Sequence, residues 1–231
     1  MPIFEYGQKE IDHLKRKDKK LGAAIDKIGM IQREITPDPF TALISSVVSQ
    51  QISKKAAETV WNRLATLLGN LTPESITQVE VSAIQSCGMS ERKARYISGI
   101  ADAAKSGVID FKLLDTLTDE EIIKNLSSLH GVGVWTAEMI LIFSLCRPDV
   151  LSYKDLAICR GMMNLYGLKE LPKETFERYR KRYSPYGSVA SLYLWELSGE
   201  TRGETRGQVQ CFNSHDLKQR TCPSVSPSVC P

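Results

Sequence analysis

Residues 129–160 read LHGVGVWTAEMILIFSLCRPDVLSYKDLAICR. Three features follow one another in this stretch. Gly131-Val132-Gly133 is a tight glycine turn. The two glycines, two residues apart, suit a bend whose backbone reaches positive φ and lets another group come close. A largely apolar helix follows, starting at about Val134 and running through Trp135 to Leu145. Asp155 then falls where a connecting loop meets the next helix. The first N–H groups of a helix have no partner within it and sit at its positive end, so the glycine turn presents a ready phosphate site. Helix, glycine turn and helix together form a helix-hairpin-helix, a device that grips a phosphate without reading bases.

Helical signals continue outward on both sides. Asp12 to Ile28 (DHLKRKDKKLGAAIDKI) predicts one charged amphipathic helix with Leu14, Leu21, Ile25 and Ile28 inward. Its Lys15, Arg16, Lys17, Lys19 and Lys20 read as a solvated face in preference to a binding site. Pro37-Asp38-Pro39 breaks the chain. From Phe40 an apolar stripe runs through Leu43, Ile44, Val47 and Val48 and continues to Gln51 and Ile52. Ser53 to Leu68 is the next predicted helix, with Trp61, Leu64 and Leu67 as core residues, and a shorter helical series lies between Pro73 and Ser86. Ser90 caps a further helix, and Thr118-Asp119-Glu120-Glu121 carries a capping signature that opens the first helix of the hairpin. The second hairpin helix sends Met139, Ile140, Ile142 and Phe143 inward. Helices are also predicted over Leu156 to Tyr166, Pro172 to Tyr183 and Ser188 to Ser198. No segment alternates with period two, so an all-α fold follows.

Bulk properties bound the function only loosely. The chain has 231 residues, enough to bury roughly 70% of its unfolded surface. Its net charge of +3, from 30 Lys+Arg against 27 Asp+Glu, does not by itself argue for nucleic acid. The six cysteines, Cys87, Cys146, Cys159, Cys211, Cys222 and Cys230, contain no CxxC pair, which argues against a zinc site. There is no apolar run of 18 residues, and MPIFEYGQKE is no signal segment, so an intracellular protein is expected. Residues 200–231, polar and rich in Gly, Ser, Thr and Pro, are expected to be disordered beyond a helical domain spanning 1–199.

The motifs are more specific than the bulk. Leu129-His130-Gly131-Val132-Gly133, Trp135-Thr136-Ala137, and Asp155 in the context D-L-A-I-C-R resemble the helix-hairpin-helix DNA glycosylase superfamily. The likeness is greatest to its 3-methyladenine DNA glycosylase II branch. It covers about residues 20–199, in agreement with the boundary given by composition. His130 departs from the usual Pro, but keeps an N–H and leaves the hairpin intact. V-S-Q-Q-I-S resembles the segment that plugs the duplex gap left by an extruded base, with Gln51 at the inserting position and Gln50 beside it. A helix-end glutamine reaching water is the equal alternative. C-G-M-S-E-R-K-A-R-Y-I resembles a second segment of the branch and offers Lys93, and beside it Arg92, to a phosphate. P-Y-G-S-V-A-S-L-Y-L-W resembles the last helix of the branch, whose tryptophan, here Trp195, faces the catalytic carboxylate. Gly187 stands where some relatives have Arg.

The resemblance implies a two-lobed fold and a glycosylase chemistry. Breaking an N-glycosidic bond passes through an oxocarbenium-like state. A carboxylate near the sugar stabilises that charge and can orient the attacking water, the role the resemblance assigns to Asp155. Capping the following helix is the competing, and compatible, explanation of an Asp there. Trp135, Trp195 and Met139 are expected to line the pocket for the extruded base, where an electron-poor alkylated purine would stack on indole. Core packing is the competing role for each. Gly131, Val132, Gly133 and Thr136 are expected to hold DNA with Gln50, Gln51 and Lys93. Bifunctional members of the superfamily carry a nucleophilic Lys where this chain has Trp135, so water is the expected nucleophile. Lys154, next to Asp155, points elsewhere at a helix start and is a poor substitute.

The implied partner is double-stranded DNA containing damaged bases, bound by a monomer with no membrane association, in the cytoplasm or nucleoid, or in the nucleus of a eukaryote. No cofactor is implied beyond a monovalent cation on the hairpin carbonyls. An iron–sulfur cluster is not expected, because Cys211, Cys222 and Cys230 are too few and too widely spaced. Two other functions compete. One is a bifunctional glycosylase/lyase for oxidised bases. The other is a non-catalytic DNA-holding module, which would need neither Asp155 nor aromatic pocket residues.

Overall fold

The computed structural model describes residues 2–199. Short polar side chains set where the helices begin. Asp18, Asp38, Ser53, Thr72 and Ser90 each accept the backbone N–H of the third residue of the helix they precede. Thr118 and Glu121 satisfy each other's backbone N–H in a capping box. Twelve α-helices result among the described residues, with no strand beyond an isolated Ile3–Glu34 bridge. They are α1 (Gln8–Lys17), α2 (Lys19–Ile28), α3 (Pro39–Ser49), α4 (Lys54–Leu68), α5 (Pro73–Thr77) and α6 (Val81–Ser86). The remainder are α7 (Glu91–Lys105), α8 (Asp119–Ser127), α9 (Val134–Phe143), α10 (Leu156–Tyr166), α11 (Lys173–Tyr183) and α12 (Gly187–Leu197).

The helices pack in two groups. In one, α3 lies against α4, α7 and α9, α5 and α6 pack on α7, and α8 pairs with α9. The other gathers α1, α2, α10, α11 and α12. Side chains from α9 reach across to α10 and α12, and the stacked rings of Phe143 and Trp195 mark that seam. The expected tail over 200–231, with Cys211, Cys222 and Cys230, lies outside the described residues.

Three expectations need correction. The single helix over Asp12–Ile28 is two, because Asp18 leaves the helical region (φ −145, ψ 108) and caps α2 through Leu21 N. Tertiary partners hold the break. The buried Asp18 carboxylate also accepts from Tyr166 Oη at 2.6 Å and Arg182 Nη1 at 2.7 Å, tying α2 to α10 and α11. The apolar stripe of α3 stops at Ser49, leaving Gln51 and Ile52 exposed on a loop. Leu67, expected in the core, is 39% exposed near the end of α4.

The closest approach in the second group places the functional residues. A Cβ on Gly161 of α10 would lie 1.9 Å from the backbone oxygen of Leu194 in α12. The two helices therefore touch backbone to backbone, bringing the residue before α10 next to the end of α12. Gly161→Ala should destabilise the protein by about 3 kcal/mol, the range for forcing volume into a packed contact, measured by denaturant unfolding.

Asp18 generates a pH prediction. Burial pushes its carboxyl up, but the bonds from Tyr166, Leu21 N and Arg182 outweigh this and hold it below the usual aspartate value. A lowered folded-state pKa contributes stability above the unfolded value of about 3.9, and that contribution is lost as pH falls through the folded pKa. The stability difference between wild type and Asp18→Asn should be constant near neutrality and shrink below about pH 4 in thermal melts.

Candidate active site

Asp155 is the residue before α10, and its backbone is extended (φ −85, ψ 109). That geometry turns the carboxylate back over the helix start. Oδ1 accepts from Ala157 N at 2.9 Å and Ile158 N at 3.0 Å. Oδ2 faces α9 and α12 and accepts from Trp135 Nε1 at 2.9 Å and Trp195 Nε1 at 3.2 Å. Two lone pairs per oxygen and two donors per oxygen leave the carboxylate saturated. It is 6% exposed. A carboxylate held this way is fixed in orientation, and its oxygens suit the stabilisation of a developing cation.

The two tryptophans thus have a role that residue type alone did not suggest. They were expected to offer ring faces, and they also supply N–H groups that aim the carboxylate. Trp195 is 4% exposed and has one face stacked on Phe143, with centroids 5.4 Å apart. Trp135 is half-buried. Met139 corrects another expectation. At 1% exposure it is a core side chain of α9 with no surface for a base, because α9 is apolar nearly all round and buried on most sides.

The hairpin comprises α8, residues 128–133 and α9. Gly131 adopts φ +86, and a Cβ there would lie 2.2 Å from the Tyr96 ring of α7, so only glycine fits. Gly133 differs from the expectation of a second positive φ. Its φ is −95, and a Cβ would meet nothing within 4 Å. Nothing in the fold itself demands glycine at 133, and the space beside it is open to an outside group. No side chain caps α9, so its first-turn N–H groups remain for an external acceptor. Val132 is buried at 6% and anchors the turn. Thr136 is 4% exposed, so its hydroxyl is not at the surface and its backbone N–H is what it can offer. His130 is exposed, and the turn forms without a proline there.

Beside the hairpin lies the loop after α3. Gln50 Nε2 donates to Gly131 O at 3.0 Å, which commits Gln50 to the hairpin. Gln51 is exposed with φ +60, a conformation costing a non-glycine residue about 1 kcal/mol. The pair divides: Gln50 is fixed and Gln51 stands clear. Lys93 has a structural task as well. Its ammonium donates to Val48 O at 2.9 Å and to Gln50 O, so it caps the C-terminus of α3 and straps the loop. Burial lowers its pKa. Two of its three ammonium protons are thus held by backbone carbonyls, which leaves one N–H for the expected phosphate contact. Gln51, Met89, Arg92 and Tyr96 line a groove of about 240 Å³ over this junction.

Two further positions were not singled out from sequence. Glu138, one turn after Trp135 on α9, accepts from the buried Ser152 Oγ at 2.5 Å. Its i,i+3 spacing from Trp135 was the available signal. Asp149 accepts from Gly187 N at 3.0 Å and from Ser184 Oγ at 2.5 Å. A Cβ on Gly187 would sit 2.9 Å from Asp149 Oδ1, so this contact favours glycine there. Lys154 is exposed, and its charge acts on Glu138.

A hairpin with an uncapped second helix and a saturated carboxylate at the seam of two helical groups define a helix-hairpin-helix protein with a carboxylate-centred site. The HhH-GPD superfamily base excision DNA repair protein family matches residues 44–185, and this chain belongs to that family. DNA-3-methyladenine glycosylase 1 of Schizosaccharomyces pombe is 37% identical over 166 residues, 70% of this chain and 73% of that protein. Two solved structures are also similar. A DNA-3-methyladenine glycosidase from Bacillus halodurans has TM-score 0.78 and 37% identity, covering 86% of this chain and 93% of that one. The Schizosaccharomyces pombe 3-methyladenine DNA glycosylase in complex with abasic DNA has TM-score 0.73 and 32% identity, covering 84% and 98%.

The two hairpin glycines should separate in a stability test. Gly131→Ala should lower unfolding free energy by about 2–4 kcal/mol, combining overpacking against Tyr96 with an unfavourable φ. Gly133→Ala should stay within about 0.5 kcal/mol of wild type. Chemical denaturation of both variants checks the pair.

Proposed function

We propose that this chain is a monofunctional DNA glycosylase that hydrolyses the N-glycosidic bond of alkylated purines such as 3-methyladenine in double-stranded DNA. The observation that carries the reading is Asp155, its carboxylate saturated by Ala157 N, Ile158 N, Trp135 Nε1 and Trp195 Nε1. An alkylated purine carries positive charge and departs as a neutral base, taking the electron pair of the C1′–N bond. No general acid is needed. The sugar is left as an oxocarbenium ion, and Asp155 supplies the negative charge it requires. Water then adds at C1′ and gives up its proton to the surrounding solvent. Because Oδ2 is filled, electrostatic stabilisation is the role of Asp155 that the geometry supports directly. A water binding at Oδ2 would have to displace one indole N–H.

The remaining assignments follow from access. Trp135, half-buried beside Asp155, is the ring on which an extruded base would stack, with Trp195 behind it. The N–H groups at Gly133 and the start of α9 would take a backbone phosphate, with Gly131 and Val132 shaping the turn. Gln51 would fill the duplex gap while Gln50 ties that loop to the hairpin. A monovalent cation at the turn would be held by the carbonyls of Leu129 and Gly131. Each accepts one hydrogen bond, from Val132 N and Gln50 Nε2, and keeps a second lone pair. Such a cation would add positive charge near the phosphate. We place the helical domain at residues 1–199, acting as a monomer inside the cell.

Asp155→Asn removes the charge but keeps an oxygen for the cap of α10. Single-turnover release of methylated base, followed by chromatography, should fall at least about a hundredfold. Retention of most of the wild-type rate would sink the assignment.

The product should be an intact strand bearing an abasic site, because Trp135 occupies the position from which an amine would attack C1′. Borohydride added during turnover should trap no protein–DNA adduct. An adduct that disappears in Lys154→Ala would instead identify a lyase.

A further inference from the structure

Asp155 is held by more than its own hydrogen bonds. It sits at the end of the turn 151–155, and that turn must be fixed for Oδ2 to meet both indoles. α9 touches the turn at two points on one face. Trp135 holds Asp155 itself, and Glu138, three residues on, accepts from Ser152 Oγ at 2.5 Å. Ser152 is fully buried, and its carbonyl accepts from Asp155 N at 3.4 Å, closing the turn. Glu138 accepts no other hydrogen bond among the described residues. It is a half-buried carboxylate beside a second buried carboxylate, a costly arrangement for a helix position that could have been apolar. Burial raises its pKa, as does the charge of Asp155, while the Ser152 hydroxyl and Lys154 oppose the rise.

We propose that Glu138 is a positioning residue for base release, acting through its hydrogen bond with Ser152 to fix the turn that carries Asp155. The proposal rests on the glycosylase reading above. A displacement of the catalytic group by about 1 Å can cost up to a hundredfold in rate without touching ground-state binding. The expected signature is therefore a loss in the chemical step alone.

The experiment measures single-turnover release of base from methylated duplex, and affinity for undamaged duplex, for wild type, Glu138→Ala, Glu138→Gln, Ser152→Ala and the Glu138→Ala/Ser152→Ala double variant. Asp155→Asn is the control. Glu138→Ala and Ser152→Ala should each slow release roughly tenfold to a hundredfold, with affinity within about twofold of wild type. The double variant should be no slower than either single variant, because both remove one bond. Glu138→Gln, whose amide oxygen can still accept from Ser152, should recover most of the rate. Should Glu138→Ala fail to fold by circular dichroism, Ser152→Ala removes the same bond from the other side and decides the matter.

Unchanged release in Ser152→Ala would overturn the proposal. So would additive losses in the double variant, a parallel loss of affinity, or a Gln variant as slow as Ala. If wild type releases no base, or Asp155→Asn remains fully active, the glycosylase reading itself fails. If those controls behave and only the Glu138 and Ser152 variants are silent, this inference alone fails.

Discussion

The structure depends on keeping one carboxylate, Asp155, aimed while almost fully removed from water. An isolated buried carboxylate would cost several kcal/mol. Here the cost is offset by four N–H donors drawn from three helices: the first turn of α10, Trp135 of α9 and Trp195 of α12. Those donors can converge only if the two helical groups meet at a fixed seam. The backbone contact at Gly161 and the Phe143–Trp195 stack serve the same requirement, because both set the spacing of the helices that carry the donors.

The hairpin region follows a different logic. Gly131, Gln50, Lys93 and Tyr96 are tied together: a ring against an α-carbon, an amide on a carbonyl, and an ammonium across the end of α3. Gln51 and Gly133, immediately beside them, are exposed and without such ties. A rigid base with a few free groups suits a surface that must grip a partner of fixed shape, since little order has to be imposed on binding. Lys93 is instructive here. A basic residue near a glycine hairpin is easily read as a phosphate ligand alone, yet two of its three protons satisfy carbonyls that would otherwise be orphaned at a helix end.

Much of the architecture was legible in the order of residues. Capping side chains and 3.6-residue periodicity located most of the helices from α4 onward to within a residue or two, because both act over one turn and need no distant partner. The failures share a cause. Asp18 breaks a helix that periodicity ran straight through, because Tyr166 and Arg182, well over a hundred residues away, reward its burial. The α3 stripe ended early because Lys93 caps it from another helix.

The same division applies to the site. Sequence by itself determined that a glycine hairpin, a tryptophan at 135 and an aspartate at 155 occur in one short stretch, and with them the family and the chemistry to expect. Local backbone rules suffice for that: a turn, a helix start and a cap are each decided within a few residues. Only the tertiary structure decided what the side chains do to one another. It turned the two tryptophans into donors to one carboxylate oxygen, sent Met139 into the core, separated the roles of Gly131 and Gly133, and brought Glu138 to Ser152. Those outcomes depend on interhelical distances of a few ångströms. Packing across the whole chain fixes such distances, and no local pattern of residue types encodes them.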